Sequence, residues 1–208
     1  MAERELPLFP LNVVLFPGMR LPLHIFEERY KLMIGTCMVT DQTFGVALIQ
    51  SGSEVGGLAE IYPVGTTARI VEIDRLPEGR MNLVAVGVNR FRLVERRDGE
   101  PYARGRVELL PDSVAAVPDG LAERVGRKFR LYLQNSGMTA AQARAVRLPA
   151  EPLALSYFVA AIVKAPARQR QRLLEDESVV ARLRRELAIL EWSIGGPAEP
   201  NARAFSLN

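Results

Sequence analysis

Short apolar stretches at 43–50, 64–76, 81–88, 90–97 and 102–110 are set apart by Gly, Pro and Asp, and this spacing predicts β-strands forming a small barrel or sandwich. In 81–88 both faces are apolar, with Met81, Leu83 and Ala85 on one and Val84, Val86 and Val88 on the other, so a central strand covered on both sides is expected. The next stretch, Arg90-Phe91-Arg92-Leu93-Val94-Glu95, mostly alternates and should face water once. Leu76-Pro77-Glu78-Gly79-Arg80 reads as a hairpin turn, with Gly79 free to take positive φ.

Helical periods dominate elsewhere. Tyr30, Met33, Ile34 and Cys37 or Met38 recur at helical spacing within 27–39. Leu121, Val125, Phe129 and Tyr132 form one stripe in 121–135, ended by Asn135-Ser136-Gly137. Further helices fit 139–146, 152–164, 168–175 and 178–192. In the last, Ser178 stands where an N-cap belongs, Val179, Val180, Leu183, Leu187 and Leu190 follow, and Gly195-Gly196-Pro197 stops it. A strand-rich unit over 1–116 and a helical unit over 117–197 follow, with a frayed tail at 198–208.

Composition narrows the class. With 208 residues, 48% hydrophobic, 25% charged and a mean hydropathy of +0.03, the chain fits a soluble globular protein and excludes collagen-like, mostly disordered and multi-span membrane classes. The apolar stretch 6–19 is broken by Pro7, Pro10 and Pro17, and the uncharged run 152–163 is about half of the roughly 20 residues a bilayer demands, so no signal peptide or membrane span is expected. One cysteine, Cys37, excludes an internal disulfide framework and a cysteine metal cluster; it is expected to pack as a small apolar side chain in a cytoplasmic, reducing setting.

Catalytic constellations are missing. His24 is the sole histidine and sits between Leu23 and Ile25 in a strand-like run, which favours a structural role over a metal ligand or base. Gly52-Ser53-Glu54-Val55-Gly56-Gly57 lacks the Gly-Lys-Ser/Thr of a phosphate cradle and reads as a surface loop. Glu27-Glu28 and Asp176-Glu177 fall near helix starts, where capping is the better reading than paired-carboxylate chemistry. No cofactor and no metal are expected.

The net charge of +3 is a weak field for a chain this long. Lys31, Lys128 and Lys164 are the only lysines among 27 basic residues, and arginine's planar fork suits phosphate. Arg90, Arg92 and Arg96 share one face of a predicted strand, and Arg104 and Arg106 share a face of the next, which makes RNA binding through Arg90, Arg92, Arg104 and Arg106 the alternative reading. Against it, residues 1–108 hold 13 basic and 14 acidic side chains, Glu95 and Glu108 interleave, and no aromatic stacking motif accompanies the arginines. Arg168, Arg170, Arg172, Arg182, Arg184 and Arg185 read as solvated helix faces.

The stretch Leu6-Pro7-Leu8-Phe9-Pro10-Leu11-Asn12-Val13-Val14-Leu15-Phe16-Pro17-Gly18-Met19-Arg20-Leu21-Pro22-Leu23-His24-Ile25-Phe26-Glu27-Glu28-Arg29-Tyr30 strongly resembles the N-terminal substrate-binding domain of the Lon protease family. The resemblance continues in order through Val64-Gly65-Thr66-Thr67-Ala68-Arg69-Ile70, Leu76-Pro77-Glu78-Gly79-Arg80, Val86-Gly87-Val88-Asn89-Arg90-Phe91-Arg92 and Gln171-Arg172-Leu173-Leu174-Glu175. It implies an α+β fold, with an N-terminal PUA-like β-barrel subdomain followed by a C-terminal α-helical bundle subdomain, acting as a recognition module for unfolded or partner polypeptides. The family's full protease also carries a Gly-Lys-Thr phosphate loop and a Ser-Lys proteolytic dyad. This sequence has neither, so a non-enzymatic, stand-alone recognition domain is expected, with a separate ATPase or protease chain as a possible partner.

Most of the matching residues also have structural readings. Pro7, Pro10, Pro17 and Pro22 fix φ and bound short edge strands; Glu27 and Arg29 fasten a strand-to-helix junction; Gly65, Gly79 and Gly87 serve turns or bulges. For binding, the expected surface is 16–26, where Phe16, Met19, Leu21 and Phe26 are hard to bury together between prolines.

Overall fold

The computed structural model describes residues 3–54, 59–97, 101–113 and 116–195. Seven strands come first, interrupted by one helix: β1 (Glu3–Leu11), β2 (Arg20–Ile25), α1 (Glu28–Met38), β3 (Thr43–Ser51), β4 (Glu60–Ile61), β5 (Val64–Arg75), β6 (Met81–Arg97) and β7 (Arg104–Leu109). Helices α2 (Leu121–Asn135), α3 (Ala140–Ala145), α4 (Pro152–Ile162), α5 (Ala167–Glu175) and α6 (Val179–Gly195) follow. The anticipated tail at 198–208 lies outside the described residues. No described helix is long and apolar enough to cross a membrane.

The sheet is mostly antiparallel. Hydrogen-bonded neighbours run β1-β7-β6-β5-β3-β4, and β1 also pairs in parallel with β3, so the path from β1 through β7, β6, β5 and β3 returns to β1. β1 accommodates Pro7 and Pro10 by dividing its partners: Glu3 to Pro7 lie opposite β7, and Leu8 to Leu11 lie opposite β3. It therefore sits inside the sheet, where the prolines alone suggested an edge. β2 is an edge strand, pairing only with the first half of β6 and carrying Pro22.

The stretches 81–88 and 90–97 form the single long strand β6. It opens with Leu83, Ala85 and Gly87 buried, and register slips against β5 near residues 87–90 then leave Arg90 and Phe91 buried in succession. The face bearing Val84, Val86 and Val88 is only partly covered, and Val88 is 37% exposed, which corrects the expectation of burial on both sides. The β5–β6 connection is the anticipated turn; both Glu78 (φ 61°) and Gly79 (φ 69°) adopt left-handed conformations.

In the helices the apolar stripes pack as their spacing requires. Leu121, Val125, Phe129 and Tyr132 of α2 and Val179, Leu183, Leu187 and Leu190 of α6 share one core with Val14, Phe16, Leu48 and Val64 from the strand-rich half. A second core joins α1, through Tyr30, Met33, Ile34 and Cys37, to Phe9, Phe44, Ile70 and Leu83 of the sheet. Burial pushes the Cys37 thiol up to about 11, so it stays a protonated apolar filler. Ser178 caps α6, its Oγ accepting a bond from the Ala181 N–H at 3.4 Å.

Polar groups also lock the two halves together. The Oδ1 of Asp112, in the connection after β7, accepts from Arg90 at 3.0 Å, Arg182 at 3.1 Å and the Tyr157 hydroxyl at 2.5 Å. The two arginine side chains are fully buried. Arg90 also donates to the carbonyls of Leu174, Asp176 and Pro111, and Arg182 to Leu173, Asp176 and the Ser156 hydroxyl. This corrects two readings: Arg90 is not on a solvent-facing strand surface, and Arg182 is not on a solvated helix face. Burial of such cations requires this dense set of acceptors.

One helical turn beyond Arg182, Glu186 is buried and neither carboxylate oxygen has a hydrogen-bond partner. Burial raises its pKa well above the usual carboxyl range, with Arg182 pulling the other way. The folded protein therefore favours the protonated acid, and stability present below the ordinary carboxyl range is lost as pH rises towards the raised value. Glu186→Met removes this penalty. Its urea midpoint is expected to gain on the natural chain's as pH increases from about 5 to 8, and a gap constant across that series would contradict the burial effect.

Candidate functional site

β2 borders two hollows on the protein surface. Along this edge strand Leu21 and Ile25 point into the core, while Arg20, Pro22 and His24 face solvent, as the two-residue strand period demands. Over the three hydrogen-bonded neighbours β2, β6 and β5 lies a hollow of about 480 Å³, lined by Pro22, Leu23 and His24, by Asn82, Leu83 and Val84, and by Glu72, Ile73 and Asp74. On the other side of the strand a smaller hollow of about 200 Å³ reaches Phe9, Leu11, Phe26 and Tyr30. Pro22, Leu23 and His24 line both.

The floor is apolar and the rim is polar. Phe26, directly after β2, is 50% exposed and lies 6.1 Å from the His24 ring. His24 is held by its Nδ1, 2.7 Å from the Asn82 side-chain oxygen, so it is a positioned surface residue. Arg20 and Glu72 form an exposed ion pair across the strands at 2.5 Å. Behind Phe26, Glu27 accepts from Arg29 at 3.0 Å, and the Arg29 guanidinium lies 4.5 Å from the Tyr30 ring centroid. Those contacts fasten the entry to α1; Glu27 itself makes no side-chain cap.

Of the four residues expected to form an apolar patch, the fold buries two and partly covers a third. Phe16 is 0% exposed and Leu21 6% exposed, both in cores. Met19 is half-buried and packs against the same two cores, with its backbone carbonyl accepting from Gly87 at 3.0 Å. Phe26 is the exposed member of the four. Leu23, Ile73 and Val84 escaped sequence reading, because an apolar side chain on a strand face reads as covered unless the neighbouring layer is known.

The arginine face does not form. Arg90 is buried in the Asp112 cluster, and the other three sit in exposed ion pairs: Arg92 with Glu177 at 3.1 Å, Arg104 with Glu5 at 3.4 Å, and Arg106 with Glu3 at 2.8 Å and Glu95 at 3.3 Å. The bonds from Arg97 and Arg106 hold the Glu95 carboxyl below its usual range, and the bond to Glu3 raises Arg106. Acid and base alternate across β1, β7 and β6, leaving no cationic stripe to follow a phosphate backbone. No group of three or more His, Cys, Asp or Glu side chains among the described residues could hold a metal ion.

The architecture is a mostly antiparallel sheet backed by helices, with hollows bordering the edge strand β2. Residues 5–191 match the model of the ATP-dependent protease La (LON) substrate-binding domain, and the chain belongs to that family. It is 31% identical over 191 residues to Lon protease 2 of Myxococcus xanthus and 30% identical over 192 residues to the Lon protease of Anaeromyxobacter dehalogenans, covering 89% of this chain in each case. The chain spans 23% of the length of each of those relatives, in the region of the substrate-binding domain. Among solved structures, a Lon N-terminal domain protein from Xanthomonas campestris superposes with a TM-score of 0.69 at 27% identity, covering 89% of this chain and 98% of the other. The N-terminal domain of a Mycobacterium avium complex Lon protease shares the fold, with a TM-score of 0.66 at 18% identity.

Proposed function

We propose that this protein is a recognition module that binds unfolded or partner polypeptides through the apolar strip along β2, without chemistry of its own. The supporting observation is the exposed Phe26 beside two apolar-floored hollows, in a chain whose family is the substrate-binding domain of Lon. A client side chain buried there gains about 25 cal/mol per Å² of apolar surface removed from water. Ordering the client opposes that gain, so single-site affinity is on the order of micromolar. The finer architecture belongs to the same proposal: the strand circuit is a PUA-like barrel closing its unit near residue 116, followed by the helical unit. The module acts in the cytoplasm and presents its clients to an ATPase or protease partner.

Fluorescence anisotropy of the full chain against a labelled, permanently unfolded polypeptide tests this reading. Saturable binding that persists at high salt is expected, because apolar burial is not screened. Phe26→Ser should weaken it about five- to tenfold, the equivalent of ~1 kcal/mol of lost apolar contact, while leaving the melting temperature nearly unchanged, since Phe26 is half exposed. Undiminished binding by the variant, or binding abolished by salt, would contradict the apolar strip.

A further inference from the structure

A second surface feature lies on the helical half, away from β2. The turn between α4 and α5, the exposed side of α5 and the last turns of α6 enclose a groove of about 400 Å³. Its apolar wall is Pro166, Ile189 and Trp192, and Trp192 is 63% exposed. Its polar wall is cationic, carrying Lys164, Arg172 and Arg185, and no carboxylate among the described residues lines it. Arg185 is engaged by Asp176 at 2.8 Å. Lys164 and Arg172 are exposed and have no ion-pair partner among the described residues. This contrasts with the strand-rich half, where Arg92, Arg97, Arg104 and Arg106 each meet a carboxylate.

We propose that this groove binds an acidic polypeptide segment carrying one large apolar side chain, a substrate class that deepens, and therefore rests on, the recognition role above. The apolar side chain packs on Trp192 and Ile189, and flanking Asp or Glu carboxylates meet Lys164 and Arg172. Charge complementarity selects this occupant: two cations unpaired among the described residues, beside an exposed indole and an aliphatic wall, are complemented by an anion next to an apolar anchor. A nucleic-acid strand is a poorer match. It needs cations spaced along a track with successive stacking rings, whereas here the cations converge on a single indole.

Trp192 is the only tryptophan in the chain, so its emission reports on this groove alone. The test titrates the full chain with a short peptide holding a central Phe between Asp and Glu residues, with its Asn/Gln counterpart, and with a single-stranded oligonucleotide of equal charge. The expected result is a saturable blue shift with the acidic peptide, about tenfold weaker binding in Lys164→Gln/Arg172→Gln, and a weakened response at high salt. Both substitutions are at exposed positions, and a thermal melt of the variant establishes that it is folded. The proposal is overturned if Trp192 does not respond, if the uncharged peptide binds equally well, or if the oligonucleotide binds more tightly. It is also overturned if the emission depends on protein concentration without peptide, which assigns the groove to a second copy of the chain. Anisotropy with a neutral unfolded polypeptide, run on the same samples, separates this outcome from failure of the β2 reading.

Discussion

Asp112→Ala is expected to destabilise the protein by about 3–5 kcal/mol, because it strands two buried guanidinium groups whose shared carboxylate is gone. Asp112 Oδ1 lies 3.0 Å from Arg90 and 3.1 Å from Arg182, and the arginine side chains have no access to water. The carbonyls of Leu174, Asp176, Pro111 and Leu173 still accept hydrogen bonds, but they carry no compensating charge. For a chain of this length the loss corresponds to a fall in melting temperature on the order of 10 °C. Arg92→Ala, which breaks an exposed pair with Glu177, should cost less than about 1 kcal/mol. Urea denaturation of the two variants side by side measures the contrast, and an Asp112→Ala midpoint within error of the natural chain would refute the role of this cluster as the lock between sheet and helices.

Gly87→Ala is expected to be strongly damaging as well. A Cβ there would stand 2.3 Å from the carbonyl oxygen of Phe16 and 3.2 Å from the Leu15 side chain. The obstructing atom is backbone, and it cannot withdraw easily, because Gly18 donates to Gly87 at 2.8 Å while Gly87 donates to Met19 at 3.0 Å. Overpacking of this kind costs about 1–3 kcal/mol or more. Glycine is thus required at 87 by close approach of two backbones, not by a positive φ. Gly35→Ala supplies the opposite sign: a Cβ at this position in α1 meets nothing within 4 Å, so the substitution should stabilise by about 0.5–1 kcal/mol. A Gly87→Ala melting temperature at or above the natural chain's would contradict the packing assigned to residues 16–19, and a lowered one for Gly35→Ala would contradict the open position in α1.

The helices were legible because each buries one stripe at a constant period, as Leu121, Val125, Phe129 and Tyr132 do. The strand order and the partial exposure of Val84, Val86 and Val88 were not, because they depend on which strands lie alongside. Arg182 and Glu186 left a signal that went unread. They fall at the helical spacing of Val179, Leu183, Leu187 and Leu190, so they lie on the buried stripe rather than beside it. A charged residue in register with an apolar stripe points to a buried polar partner, here Asp112 for Arg182. Arg90 left no such signal, since the irregularity that turns it inward lies in the β5–β6 pairing and breaks the strict alternation on which its surface placement rested.

The two candidate surfaces fared differently for separate reasons. The arginines of β6 and β7 meet acids from β1 and β6 as soon as the sheet's pairing is known, and their charge is spent locally. In the 16–26 segment, the loop after β1 carries Phe16 inward against the helical half, and only the far end, at Phe26, emerges beside the hollows. An apolar segment interrupted by prolines is therefore mostly core with one exposed tip, and the proposed client site is built on that tip and on its neighbours in β2, β5 and β6.

Hydrogen–deuterium exchange on the full chain, with and without a saturating unfolded polypeptide, tests the recognition role most directly. Slowed exchange is expected in segments covering 20–26 and 72–84, which line the two hollows, with no change across 104–109, where the arginines are already paired. Protection confined to 90–109, or no protection at 20–26 under conditions where the polypeptide is bound, would contradict a client site at β2.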